Sequence, residues 1–198
     1  MKPKIIFDLS EVLIMGLVGI ERQLSPILKV PESEILPSFD GPLLQPICRG
    51  EISEDQYLGR ILEKQGWQVS IETLKLIIRE NFHQKVEGTH TILGHLVKRY
   101  EVVLLSGHVQ EWVAYIQTIH PFLETFKQAF FSYEIGQTKK IPASFAVVLK
   151  EMSYQAEACW LIDDSKRNIA VAASLGINGI QFSNAEQLRE QLVGQGIW

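Results

Sequence analysis

Three short apolar runs in this chain end directly on residues able to do chemistry. "KIIF" is followed by Asp8, "EVVLL" (101–105) by Ser106 and Gly107, and "ACWLI" (158–162) by Asp163 and Asp164. Two lysines, Lys139 and Lys140, lie in "EIGQTKKIP", just beyond a fourth run that ends at Phe131. Taken singly, such residues read as helix caps, turn formers and solvated lysines. Taken together they have the parts of a phosphoryl-transfer site. A carboxylate such as Asp8 can attack phosphorus, while a lysine and a hydroxyl bind the phosphoryl oxygens. The adjacent carboxylates of Asp163 and Asp164 repel each other unless a cation or a lysine is near. Mg²⁺ takes few protein oxygens and keeps several waters, so Asp8, Asp164 and one backbone carbonyl would be enough to hold it.

These residues need a scaffold that brings four strand ends to one place. From residue 101 onward, short runs at 101–105, 127–131, 158–162 and 178–182 alternate with segments at 108–119, 142–152, 165–176 and 184–193 that repeat apolar residues at helical spacing. Ser165, Asn184 and Pro142 read as helix starts, and Gly176 as a helix end. Such alternation predicts an α/β fold, a Rossmann-like parallel sheet with helices on both faces, and residues 4–9 supply its first strand. In a sheet of this kind ligands bind at the carboxyl ends of the strands. Between the first strand and residue 101 the alternation stops. Segment 53–66 opens with a capping-box pattern, Ser53 and Gln56, and 71–82 is also amphipathic, while Pro26, Pro31, Pro37, Pro42 and Pro46 predict short helices and turns before them. The expected organisation is a core of residues 1–14 and 87–198 with a helical cap inserted at 15–86. A helix at about 89–99 leads back into the core.

Composition excludes several alternatives. In a chain of 198 residues, 46% hydrophobic and 21% charged residues describe an ordered, compact protein. The net charge of −4 with no long basic run gives no footprint for nucleic acid or for an acidic membrane. Asp8 and Glu11 interrupt the apolar start and argue against a signal peptide, and no other stretch reads as a membrane span. Cys48 and Cys159 form no metal or redox motif and read as core thiols of a reducing compartment, so the cytoplasm is expected. His83, His90, His95 and His120 show no metal-ligand spacing. His108 reads as a surface or packing residue at the first turn of a helix, and the four tryptophans as packing residues.

The segments "FDLSEVL", "VVLLSG", "GQTKKIP" and "WLIDDSKRNIAVAASLGI" resemble, in order, the four motifs of the haloacid dehalogenase-like hydrolase superfamily. "GEISEDQYL" (50–58) resembles a segment of the helical cap found after the first strand in one subgroup. The resemblance runs from residue 4 to 182 and implies a Mg²⁺-dependent phosphatase acting on a small phosphorylated metabolite. It implies Asp8 as nucleophile and metal ligand, forming an aspartyl-phosphate. Ser106 and the Gly107 amide would bind a phosphoryl oxygen, and Lys139, with Lys140 as the alternative, would pair with Asp8 and the phosphate. Asp164 and the Ser10 carbonyl would complete the metal ligands, Asp163 would act through water, and Asn168 would steady its loop.

Ser10 is the departure. The family's phosphatases carry there an aspartate that protonates the leaving oxygen and later activates water, and losing such a group costs about 10²–10⁴ in rate. A serine keeps the main-chain carbonyl and loses the proton transfer. Three outcomes follow: a slow or specialised phosphatase, substitution by Glu11, or a phosphate- or metal-binding module without catalysis. Alternation along a strand puts residues 8 and 10 on one side and Glu11 on the other, which argues against the second. A 2-haloacid dehalogenase is the other chemical class, and the Asp163–Asp164 pair argues against it. Oligomeric state has no sequence signal.

Overall fold

The computed structural model describes residues 2–198. Five parallel strands form one sheet in the order β3-β2-β1-β4-β5: β1 Lys4–Phe7, β2 Glu101–Ser106, β3 Ala129–Phe131, β4 Cys159–Asp163 and β5 Asn178–Gln181. The central β1 is flanked on both sides, and its residues alternate between two cores. Ile5 and Phe7 pack on one face with Val102, Leu104 and Ile162, while Ile6 packs on the other with Val103, Leu105 and Leu161. Burial on both faces explains why these strands read as unbroken apolar runs.

Helices α1 Ile20–Leu28, α2 Glu32–Phe39, α3 Leu44–Cys48, α4 Glu54–Gln65 and α5 Ile71–Phe82 all lie between β1 and β2, followed by α6 Thr89–Leu96. The remaining helices cover the sheet: α7 Gln110–Ile119, the single turn α8 Ser132–Ile135, α9 Pro142–Met152, α10 Lys166–Ala173 and α11 Ala185–Gly194. Ser53 and Gln56 close the capping box of α4, Ser165 and Asn184 cap α10 and α11, and Pro142 opens α9. Pro26 and Pro37 fall inside α1 and α2 rather than between helices. Each lies past the first turn, where its missing N–H removes one i→i−4 bond, and each helix ends two residues later, at Leu28 and Phe39.

The outgoing and returning chain run side by side, with Met15 N donating to Gln84 O at 2.8 Å and Val86 N donating to Leu13 O at 3.0 Å. The helices between them are tied to the core by a buried polar cluster. Arg79 makes two bonds, 2.7 and 2.6 Å, to the carboxylate of Glu54, which also accepts from Trp112 Nε1 at 2.7 Å, and Glu111 accepts from Glu54 N. His120 Nε2 adds a contact to Phe82 O at 2.7 Å. Among the described residues, no helix is long and apolar enough to cross a membrane.

Candidate active site

β1 ends at Phe7, so Asp8 is the first residue past the strand. Its amide donates to Ile162 O at 2.9 Å, and its Oδ1 accepts from Leu9 N at 2.7 Å. Beyond it the chain closes a tight loop, with Leu13 N and Ile14 N donating to Leu9 O and Glu11 N donating to Ile14 O. Glu11 takes a left-handed conformation (φ 62°) to make that loop, a conformation uncommon outside glycine. The strand alternation expected for residues 8–11 therefore does not hold: the chain has left the strand before Ser10, and Glu11 lines the same cavity as Asp8. Its Oε1 is already occupied, accepting from Gly16 N at 3.0 Å and Val18 N at 3.1 Å. Burial pushes the Glu11 carboxyl up to about 7 against those two bonds.

The ends of β1 and β4 face one another across Lys139. Its ammonium lies 2.6 Å from Asp8 Oδ2 and 2.6 Å from Asp163 Oδ2. Asp163 is fully buried and held by two further donors, Ser165 N at 2.9 Å and Asn168 Nδ2, which lies 3.0 and 3.2 Å from its two oxygens. Burial works against the Lys139 charge, but Asp163 and Asp8 together outweigh it and hold the ammonium above the ordinary lysine range. Burial pushes the Asp8 carboxyl above its ordinary range, opposed by Lys139. Lys140, the alternative lysine, also lines the cavity, but its ammonium sits 3.9 Å from Asp40 and pairs with none of these carboxylates.

Carboxylate oxygens of Asp8, Asp163 and Asp164 lie within 4.8 Å of one another. One lysine for three carboxylates leaves the cluster anionic. Asp164 contributes no ion pair among the described residues, and burial, reinforced by Asp163, pushes its carboxyl up. This hard-oxygen donor set with uncompensated charge suits a Mg²⁺ ion. Asp8 and Asp164 open onto a cavity of about 180 Å³, also lined by Ser106, Gly107, Lys139 and Asn168. All the residues singled out from sequence are thus in one place. Asp163 is set behind the rim as a brace for Lys139.

Other cavity residues carry no sequence signal. Leu44, Gln45 and Cys48 come from α3, which reaches the site only because the inserted helices fold over it. Thr138 Oγ1 donates to Gln45 Oε1, and Cys48 Sγ approaches Gly107 O at 3.5 Å, so the insertion touches both motif loops. Burial raises the Cys48 thiol to about 11, and it stays protonated. His108 is the packing residue expected, set against Phe82 and Trp112, but it lies ahead of its helix. α7 begins two residues later, at Gln110, and His108 is buried, with its Nε2 2.9 Å from Ser10 Oγ.

No family model matches the chain. A D-ribitol-5-phosphate phosphatase of Bacteroides thetaiotaomicron is 25% identical over 157 residues, covering 76% of each protein. A HAD family enzyme of Bacteroides thetaiotaomicron, solved in complex with magnesium and inorganic phosphate, superposes with a TM-score of 0.70 at 23% identity over 93% of this chain and 96% of that one. A 2-haloacid dehalogenase from Pseudomonas syringae pv. Tomato gives a TM-score of 0.59 at 17% identity over 98% and 100%. With its four motif segments gathered at one end of a five-stranded parallel sheet, this chain has the fold of the haloacid dehalogenase-like superfamily.

Proposed function

We propose that the protein is a phosphomonoesterase that uses Mg²⁺ and transfers the phosphoryl group of a small phosphorylated metabolite to Asp8 and then to water. The observation that carries this reading is the convergence of Asp8, Asp163 and Asp164 around Lys139 at the ends of β1 and β4. A dehalogenase attacks carbon and has no use for a third carboxylate, so the acidic cluster favours the phosphatase over the fold's other chemistry. The similarity to a ribitol-phosphate phosphatase supports the same choice and suggests a polyol or sugar phosphate as substrate.

In this reading a Asp8 carboxylate oxygen bonds to phosphorus as the bond to the leaving oxygen breaks. Lys139 steadies the phosphoryl oxygens and opposes the burial that raises the Asp8 carboxyl. Ser106 and the Gly107 amide bind a further phosphoryl oxygen from the end of β2. Asp8, Asp164 and the Ser10 carbonyl would hold Mg²⁺, which would supply charge neutralisation at the phosphoryl group. Asp163 and Asn168 fix Lys139 and the β4 loop rather than touching substrate.

The helices of residues 15–86 serve as a cap and carry substrate choice, since α3 alone brings Gln45 and Cys48 over the cavity. The paired chain crossings at Met15 and Val86 support that boundary. The buried free thiols of Cys48 and Cys159 favour a reducing compartment, in keeping with the cytoplasm. One specific observation favours a second reading, a phosphate- or metal-binding module: Ser10 stands where an acid is needed. A panel of phosphomonoesters and 2-haloacids assayed in Mg²⁺ separates these readings. Release of phosphate without halide is expected; halide release, or tight phosphate binding with no turnover of any ester, would overturn the proposal.

A further inference from the structure

His108 belongs to none of the four motifs, yet among the described residues it makes the one side-chain hydrogen bond to Ser10. It stands behind Ser10, outside the cavity, and is 4% exposed. The rings of Phe82 and Trp112 meet its imidazole edge-on at 5.7 Å each and fix its plane. Ser10 is half-buried and closed on one side by Gly16, where an added Cβ would lie 2.8 Å from Ser10 Cβ and 2.9 Å from its Oγ. Ser10 Oγ and His108 Nε2 are therefore held 2.9 Å apart by packing on both sides.

Direction follows from the other ring nitrogen. His108 Nδ1 is buried and has no hydrogen-bonding partner in the protein. A buried N–H without a partner is rarer in proteins than an unpaired acceptor, so the imidazole proton belongs on Nε2 and Nδ1 is bare. A second proton would put an unpaired N–H at that same buried Nδ1, so the ring carries one proton. Nε2–H then donates to Ser10 Oγ. A serine hydroxyl has one donor and two lone pairs, and with a lone pair taken from behind, its own O–H is free to point into the cavity.

We propose that His108 is a positioning residue that donates its Nε2–H to Ser10 Oγ and thereby presents the Ser10 hydroxyl as a hydrogen-bond donor to the leaving oxygen of the substrate. The inference rests on the phosphomonoesterase reading. As the Asp8 oxygen–phosphorus bond forms and the phosphorus–oxygen ester bond breaks, the ester electron pair moves onto the leaving oxygen. The Ser10 O–H stabilises that developing charge and keeps its proton, and the departing alkoxide takes a proton from water. A fixed hydroxyl donor thus stands in for part of what a carboxylic acid would do.

Leaving-group dependence tests this directly. His108→Leu is expected to lower kcat about tenfold for glycerol 2-phosphate with little change in KM, and much less for p-nitrophenyl phosphate, whose leaving oxygen needs little help. His108→Gln, whose amide can donate in place of Nε2, restores most of the rate. In a Ser10→Ala background His108→Leu has no further effect. Equal losses on both esters, or a loss that persists without Ser10, would overturn the proposal. Nitrogen NMR of histidine-labelled wild-type protein, with no substrate present, reads the tautomer independently of folding losses in the variants. An Nε2–H tautomer is expected, and an Nδ1–H tautomer overturns this inference alone, whereas no turnover of either ester by the wild type overturns the phosphomonoesterase reading.

Discussion

Lys139→Met should destabilise the protein by about 3–5 kcal/mol and remove turnover, although it changes one side chain by little volume. Lys139 is the shared partner of Asp8 and Asp163, 2.6 Å from each, and all three side chains are almost wholly buried. Methionine fills the space but leaves two carboxylates facing each other out of water with Asp164 beside them. The loss has a predictable pH dependence in metal-free protein. Burial already raises Asp8, and removing the ammonium raises it further, so the folded variant holds protons that the unfolded chain releases. A carboxyl with a raised folded pKa stabilises the fold at low pH and loses that contribution as pH rises through the folded value. The deficit relative to wild type should therefore be smaller near pH 5 than near pH 8, and Mg²⁺ should recover part of it by binding the folded form. Urea unfolding of both proteins at the two pH values, with EDTA or with Mg²⁺, gives the comparison. A variant as stable as wild type at pH 8 would mean that Lys139 does not compensate the cluster.

Ser10→Asp should raise the rate on alkyl phosphates by about 10²-fold or more, the typical worth of a general acid/base. Residue 10 lines the cavity two positions after Asp8, and its carbonyl is unaltered by the change. An aspartate there can also accept the His108 Nε2–H that now goes to Ser10 Oγ. The gain should be far smaller on p-nitrophenyl phosphate. Steady-state kinetics on the two esters measures both effects. No gain on either would mean that proton transfer is not the deficit, and that the cap or the substrate supplies the proton.

The fold was legible because its central strands β1, β2 and β4 are buried on both faces and several of its helices start at residues that usually begin helices. Ser53 with Gln56, Ser165, Asn184 and Pro142 all act where their types predict. Asp8, Ser106, Asp163 and Asp164 were legible because each follows an apolar run directly, which puts it at a strand end. Spacing left Lys139 and Lys140 open, since only the turn geometry aims one at Asp8 and Asp163 and the other at Asp40. Glu11 was misplaced because the alternation rule was carried past Phe7, where the strand ends and a left-handed turn begins. His108 and Gln45 meet the site through contacts across 98 and 93 residues of chain, to Ser10 and Thr138. Contacts of that range depend on how the inserted helices seat on the core, and local pattern does not encode it.

In the proposed reaction phosphate release needs both Asp8, as nucleophile, and Mg²⁺. Turnover of p-nitrophenyl phosphate by wild type and Asp8→Asn, each with Mg²⁺ and with EDTA, tests it most directly. Phosphate release is expected only from the wild type in Mg²⁺, with Asp8→Asn folded and at least about 10³-fold slower, as for the loss of a nucleophile whose role nothing else fills. Turnover by Asp8→Asn at the wild-type rate, or turnover by the wild type undiminished in EDTA, would contradict it.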